Sequence, residues 1–223
     1  CPTDTPDLPD LVGDDFEAAY EAYENSETIV RKKVIDAYEL WNRILSSQTE
    51  TGTPYLMFKD SCNLKSNHSH MGVIKSSNLC CEVVQYSDSE NTAVCNLASI
   101  ALPKFVSTDG NAFSFKELGE VTRVVTRNLN KVIDSNFYPT PEARFANLNQ
   151  RPMGIGVQGL ADTFQKMMIP YDSLDAIKLN TDIFSCIYYH AMDESANLSK
   201  ESGSPYPTYP GSPLSKGLFQ FDM

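Results

Sequence analysis

The sequence predicts an α/β protein, because segments with helical periodicity interleave with short extended runs along its 223 residues. The clearest helix spans 113–136, where apolar side chains recur at three- and four-residue spacing. Prolines at 139 and 141 prevent its continuation. A glycine-rich extended run at 151–159 then leads into another helix at 160–168.

The other elements are weaker signals. An apolar stripe in the helix predicted around Trp41 indicates a face packed in a core. His68 and His70 fall in a polar, irregular segment, where we expect them in solvent, and His190 is expected to be structural or exposed. In chain order the predictions are a poorly ordered lead-in at 1–12, helices at 14–25 and 31–46, strands at 54–58 and 77–86, a helix at 173–201 and a surface loop at 203–213.

Charge and composition exclude several classes of function. A net charge of −11 argues against a nucleic-acid-binding surface, which would be basic. The sequence contains no run of about 18 apolar residues, so it predicts no membrane span, and no secretory signal is recognisable. Six irregularly spaced cysteines in such a chain predict reduced thiols and a cytoplasmic location. Since the first residue is Cys1 rather than Met, we expect a piece of a larger polypeptide.

The cysteines and histidines also raise the question of a zinc site. Cys62, His68 and His70 lie near one another in the sequence, and the pair Cys80 and Cys81 follows. No C-x-x-C or H-x-x-x-H pair is present, and adjacent cysteines on a strand face opposite ways. We therefore expect no metal ligands in this chain.

The run from Asn78 to Glu82 is the strongest candidate for a catalytic site. If it forms a strand, alternate side chains share one face, so that Asn78, Cys80 and Glu82 converge. An amide can orient a hydroxyl, a carboxylate can accept its proton, and a thiol can do nucleophilic or one-electron chemistry. A carboxylate two residues from the thiol also argues against a merely buried cysteine.

A second motif, G-x-G-x-x-G at 154–159, matches the pattern of dinucleotide-binding folds. The preceding residues, 144–151, are polar and do not form the apolar strand that should feed such a loop. Ile155 and Val157 alternate with the glycines, which favours a strand that other parts of the chain approach closely.

Several stretches together carry a resemblance to a known family. The stretches are SQTETGTPY at 47–55, KDSCN at 59–63, SNLCCEVV at 77–84, AVCNLASIAL at 93–102, RPMGIGVQGLAD at 151–162 and GSPLSKG at 211–217. They resemble, in the same order, the large catalytic subunit of class I ribonucleotide reductases of the eukaryotic type, and the likeness covers nearly everything after Val30.

The resemblance implies a fold and a set of roles. The fold would be part of a ten-stranded α/β barrel of two antiparallel halves, with a central finger loop. Cys80 matches the thiyl-radical cysteine that abstracts the 3′ hydrogen of a ribonucleoside diphosphate. Glu82 matches the carboxylate that takes the 3′-hydroxyl proton, and Asn78 the amide that binds the ribose hydroxyls. Cys95 matches one of two cysteines that become a disulfide, and Cys81 departs from the family and receives no role.

The resemblance also implies what acts with this chain. The radical would come from a metal-containing small (β) subunit, the electrons from thioredoxin or glutaredoxin, and the large subunit would be a homodimer. No cofactor is expected on the chain itself. The ATP cone, the specificity loops and the partner of Cys95 would lie upstream, and the segment alone would be inactive.

Two alternatives stay open. A cysteine-dependent hydrolase would pair Cys80 with His190, although no activating base lies near Cys80 in the sequence. The chain could instead be a non-catalytic fragment that serves as an interaction surface.

Overall fold

The computed structural model describes residues 3–223, so Cys1 and Pro2, part of the predicted lead-in, lie outside the described residues. Backbone contacts divide the chain into two compact units. The loop unit runs through Ala93 and also takes in Pro210–Met223, and the core unit is Val94–Tyr209. Residues 3–223 hold seven α-helices and two paired strands, which confirms the α/β class. The partial catalytic barrel domain over 1–223 stays a prediction.

The loop unit contains three helices: α1 (Gly13–Asn25), α2 (Ala37–Thr51) and α3 (Lys59–Leu64). Asp36 caps α2 by accepting a hydrogen bond from the Glu39 N–H at 2.9 Å, and Gly52 ends it in the left-handed region. The predicted helix at 14–25 is confirmed, whereas the one at 31–46 begins and ends later than expected.

Three expectations for the loop unit are wrong. Trp41 is 50% exposed, because no described residue covers the apolar stripe of α2. Residues 54–58 and 77–86 are not strands, since neither segment finds a hydrogen-bonded partner strand among the described residues. Alternating side chains predict which face a strand would bury, but a strand also needs a neighbour.

The core unit contains β1 (Asn96–Ala101), α4 (Phe115–Ser135), α5 (Pro141–Gln150), β2 (Met153–Gln158), α6 (Leu160–Lys166) and α7 (Leu174–Ser202). The long helices match the predictions at 113–136 and 173–201 closely. Side-chain caps fix their starts, with Ser114 accepting from Glu117 N–H and Ser173 from Ala176 N–H. Helix α5 was missed, and Thr140 caps it just before Pro141.

The two strands pair in parallel, with Asn96 opposite Met153 and Ala101 opposite Gln158. The motif at 154–159 is thus strand β2, as the alternation of Ile155 and Val157 predicts, and Gly159 ends it in the left-handed region. Helices α4 and α7 pack on one another and α4 also contacts the sheet, which encloses a hydrophobic core. Its buried members are Ile100, Leu102, Phe105, Leu118, Phe164, Ala176, Leu179, Ile183 and Ile187.

A search of residues 3–223 finds no helix with both the length and the apolar character needed to cross a bilayer.

Candidate active site

The predicted site lies on a closed turn rather than on a strand. The Asn78 carbonyl accepts the Cys81 N–H at 3.1 Å, and Cys81 adopts a left-handed backbone with φ 64°. The Ser77 hydroxyl donates to the Val83 carbonyl at 2.7 Å and joins the two limbs. We call residues 77–83 the site turn. Its polar backbone groups are partly satisfied within the turn, so the strand prediction fails here.

All three residues predicted for the site lie within the site turn. Asn78, Cys80 and Glu82 are all exposed, with Cys80 near the tip and the other two on opposite limbs. The Asn78 side-chain carbonyl accepts the Val83 N–H at 3.1 Å, which leaves its NH₂ group as an outward donor. Within residues 3–223 neither the Cys80 thiol nor the Glu82 carboxylate has a hydrogen-bonding or ionic partner.

Two side chains distant in sequence anchor the limbs that lead to the site turn. Asn63, at the end of α3, donates from Nδ2 to the Ile74 carbonyl at 2.9 Å and accepts the Ile74 N–H at 2.7 Å. This paired contact imitates one rung of a β-ladder. On the other limb, His68 Nδ1 accepts the Tyr86 N–H at 3.1 Å. The site turn is therefore held by side-chain-to-backbone hydrogen bonds.

His68 is not the solvated residue that the sequence predicts. Its ring is half-buried, and this burial lowers the pKa of His68 to about 4, with a smaller contribution from the charge of His70. A neutral imidazole is what its contact requires, because only an unprotonated Nδ1 can accept the Tyr86 N–H. His68 thus supports the loop near neutral pH.

An open cavity of about 680 Å³ lies beside the site turn within the loop unit. Cys81 lines it whereas Cys80 does not, so the two adjacent thiols face different surroundings. A second thiol, that of Cys62 on α3, lines the same cavity. The remaining lining residues are Leu56, Met57, Phe58, Ser61, Lys65, Ser66, Asn67, His68, Val84 and Gln220.

Cys95 belongs to the core unit, directly before β1. Its sulfur packs against Gly154 of β2, where an added Cβ would lie 3.2 Å from Sγ. The neighbouring Asn96 side chain donates to Asn147 Oδ1 and to the Pro152 carbonyl, both at 3.0 Å. Asn147 in turn donates to the Tyr138 hydroxyl. This buried polar network fixes the backbone next to Cys95.

His190, the base of the hydrolase alternative, has a packing role in the core unit. A Cβ at Gly119 of α4 would lie 2.3 Å from His190 Nε2, so the imidazole fills the space that the glycine leaves. Its Nδ1 is buried and has no partner among the described residues. Nothing in this environment favours the ring as an activating base. Among residues 3–223 no group of three or more His, Cys, Asp or Glu side chains is arranged to hold a metal ion.

Comparison with known proteins decides the family. A family model for the ribonucleotide reductase barrel domain matches residues 1–223. The chain belongs to this family. It is 51% identical over its full length to the large chain of ribonucleoside-diphosphate reductase from Neurospora crassa, of which it covers 24%. The large subunits from Arabidopsis thaliana and Danio rerio are also 51% identical and are covered over 29% and 28% of their lengths.

The chain therefore spans about a quarter of the length of these reductase large chains. The family match supports an α/β barrel class of fold, and it confirms the resemblance noted from the sequence. Sequence reasoning missed the supporting roles of Asn63 and His68. It did predict a close approach at the glycines of 154–159, because they alternate with apolar residues, and the structure shows this approach at Gly154.

Proposed function

We propose that the chain is a catalytic-core segment of a ribonucleoside-diphosphate reductase large subunit, which reduces ribonucleoside diphosphates to 2′-deoxyribonucleoside diphosphates. The match of the whole chain to the barrel-domain family carries this proposal. The exposed site turn supports it, because one turn presents a thiol, an amide donor and an unpaired carboxylate. In the complete subunit this turn is the finger loop of a ten-stranded barrel.

The first step uses Cys80 as a sulfur-centred radical. It takes the 3′ hydrogen atom of the ribose, so that an S–H bond forms and the radical moves to the sugar carbon. Glu82 accepts the proton of the 3′ hydroxyl, which suits a carboxylate with no competing partner on the turn. Asn78 donates from its NH₂ group to a ribose hydroxyl, since its carbonyl is already bound to Val83.

The later steps remove the 2′ hydroxyl and restore the radical. The hydroxyl gains a proton and leaves as water. Cys95 and a second cysteine upstream become a disulfide, which supplies two electrons, and the 2′ carbon gains a hydrogen from this thiol pair. Cys80 then returns its hydrogen atom to the 3′ carbon. The position of Cys95 against Gly154, beside the fixed Asn96, suits a thiol that must be held in one place.

The proposal extends to the chain's partners. A metal-containing small subunit supplies the radical, thioredoxin or glutaredoxin reduces the disulfide, and two large subunits form a homodimer. These partners follow from family membership and from a chain that covers about a quarter of its relatives. The cytoplasm is the proposed location, because the mechanism needs thiols that are kept reduced.

The decisive experiment replaces Cys80 by Ser in the full-length large subunit, assayed with its small subunit. We expect no detectable deoxynucleotide product, because a hydroxyl cannot take over the thiol's hydrogen-atom transfer, while equilibrium binding of a nucleoside diphosphate stays close to that of the unmodified chain. Cys81→Ser is the matched control, since it removes a thiol from the same turn and should retain activity. Substantial turnover in Cys80→Ser would overturn the assignment.

Cys95 is tested separately by Cys95→Ser in the same full-length subunit. We expect normal nucleotide binding but no repeated turnover with a dithiol reductant, because the redox pair cannot form. Normal cycling in this variant would remove Cys95 from the mechanism while leaving the role of Cys80 intact.

A further inference from the structure

Two thiols stand next to each other on the site turn, and the mechanism above uses only one. On a strand, adjacent side chains would point to opposite faces and could not react with one another. Residues 78–81 form a hydrogen-bonded turn instead of a strand, and Cys81 is left-handed with φ 64°, so strand alternation does not set the directions of these two side chains. Neither Cys80 nor Cys81 is in a disulfide.

The two thiols also differ in access. Cys80 is exposed, whereas Cys81 is half-buried and lines the cavity beside the turn. A small oxidant from solvent therefore meets Cys80 first, and Cys81 is the adjacent thiol in the chain that could react with the product. Exposure of one thiol next to a second is the arrangement found in reversible redox sites.

We propose that Cys80 and Cys81 form a vicinal dithiol site that hydroperoxides convert reversibly to a disulfide, with Cys81 as the resolving thiol. The Cys80 sulfur attacks one peroxide oxygen, the O–O bond breaks, and a sulfenic acid forms as water or an alcohol leaves. The Cys81 sulfur then attacks the Cys80 sulfur, the S–S bond forms, and a water molecule leaves. The two thiols lose two electrons and the peroxide gains them.

The chain geometry makes this disulfide easy to reduce. Adjacent Cα atoms are about 3.8 Å apart, below the usual disulfide range of roughly 4.4–6.8 Å. A strained, exposed disulfide has a high reduction potential and is reopened readily by a dithiol. Its effect on turnover rests on the proposed function: the disulfide would block the radical cysteine, and it would also protect that sulfur from irreversible oxidation to the sulfinic acid.

Cys62 is the competing partner, because it lines the same cavity as Cys81. Cys62 lies on α3, so its pairing with Cys81 would join two separate segments, whereas Cys80 is covalently adjacent. A Cys62–Cys81 disulfide would also leave Cys80 without a resolving thiol. The two arrangements are distinguishable by peptide mapping.

The test treats the full-length large chain with hydrogen peroxide, alkylates the remaining thiols and digests with trypsin and a Glu-specific protease. Cleavage after Lys75 and Glu82 isolates residues 76–82, which hold Cys80 and Cys81 but no other cysteine. We expect this peptide to be unalkylated and lighter by two hydrogens, and to regain both alkylation sites after dithiothreitol. A crosslink to the Cys62 peptide, or sulfinic acid at Cys80 beside alkylated Cys81, would overturn the proposal.

Activity supplies the second readout. Cys81→Ser should match the unmodified enzyme before peroxide but fail to recover with dithiothreitol afterwards, because Cys80 proceeds to irreversible oxidation. The unmodified enzyme and the control Cys62→Ser should both recover. Equal recovery in Cys81→Ser would contradict the resolving role. If the unmodified chain reduces no nucleotide, the proposed function fails, whereas the peptide mass still tests the dithiol.

Discussion

The core unit and the loop unit differ in how they are held together. Every buried member of the hydrophobic core cluster lies between Ile100 and Ile187, within the core unit. In the loop unit, α1 and α2 bury no side chain among the described residues, and Trp41 and Leu45 are 50% and 41% exposed. The core unit thus rests on apolar burial, and the loop unit rests largely on hydrogen bonds between side chains and backbone.

The residues proposed for catalysis belong to different units. Cys95 stands on the unit with its own core, whereas Asn78, Cys80 and Glu82 stand on the loop unit. Segments with few buried apolar contacts open locally at low free energy. The site turn therefore depends on anchors such as Asn63 and His68, and Cys95 depends on strand and helix packing.

The largest difference in the free energy of unfolding is expected between two leucine-to-alanine variants, one in each unit. Leu118 in α4 is fully buried, so Leu118→Ala should lower the free energy of unfolding by about 3 kcal/mol through lost burial and a cavity. Leu45 in α2 is 41% exposed, and Leu45→Ala should lower it by less than about 1 kcal/mol. Urea unfolding of both variants measures this. Equal losses would show that α2 is packed as firmly as α4.

The sequence predicts the fold well where the structural cause is local. Helices α4 and α7 combine apolar periodicity with serine caps, and all of these signals lie within the segment itself. The strand predicted at 77–86 fails because a strand depends on a partner that no local pattern reveals. Trp41 fails for the same reason, since burial of α2 requires a covering surface.

The residues of the candidate site could be proposed from the sequence, but the contacts that support the site turn could not. Asn78, Cys80, Glu82 and Cys95 could be proposed from their chemistry and the family pattern. The contacts of Asn63 with Ile74 and of His68 with Tyr86 join residues 11 and 18 positions apart, and neither spacing matches a regular element. Such contacts follow from the path of the folded loop, and no local sequence pattern predicts that path.

The next largest difference in stability is expected between two arginine-to-alanine variants, one in each unit. Arg127 contacts Glu194 at 2.6 Å and Glu201 at 2.7 Å, and the Glu194 side chain is only 7% exposed. In Arg127→Ala the buried Glu194 carboxylate keeps, among the described residues, only Arg123, at 3.8 Å, as an ionic partner. The midpoint of denaturation should therefore fall clearly, because a buried charge has lost its closer partner. Arg43→Ala removes an exposed i,i+4 pair in α2 and should shift the midpoint little. Similar shifts in both would remove the distinction between the units.

Acid should affect the loop unit through His68. Its pKa in the folded chain is about 4, below the ordinary value of 6.5, so the unfolded chain binds the proton more readily. The resulting stability is complete above about pH 6.5 and is lost as the pH falls toward 4, by roughly 2 kcal/mol for a partly exposed ring.

The test of this pH dependence is His68→Asn, which retains a side-chain acceptor but cannot titrate in that range. Urea unfolding at a series of pH values should show a flatter profile between about pH 6.5 and about pH 4 than in the unmodified chain. An unchanged slope would assign the acid sensitivity to other groups.

The smallest effect on stability, and the most specific, is expected at Gly154. A Cβ there would lie 2.5 Å from Leu97 Cδ2 and 3.2 Å from Cys95 Sγ, whereas a Cβ at Gly156 of the same strand meets only the Ala98 carbonyl at 3.7 Å. Gly154→Ala should therefore lower the free energy of unfolding by about 1 kcal/mol, and Gly156→Ala should leave it nearly unchanged.

The exposed Leu97 can turn aside into solvent, so most of the strain at Gly154 should be relieved there. Cys95 is half-buried and lies beside Asn96, whose side chain is fixed by two hydrogen bonds, so its sulfur has less room to move. The sharper readout is thus the alkylation rate of Cys95, which should change in Gly154→Ala but not in Gly156→Ala. Equal rates in both variants would mean that the packing against Gly154 does not hold the thiol in place.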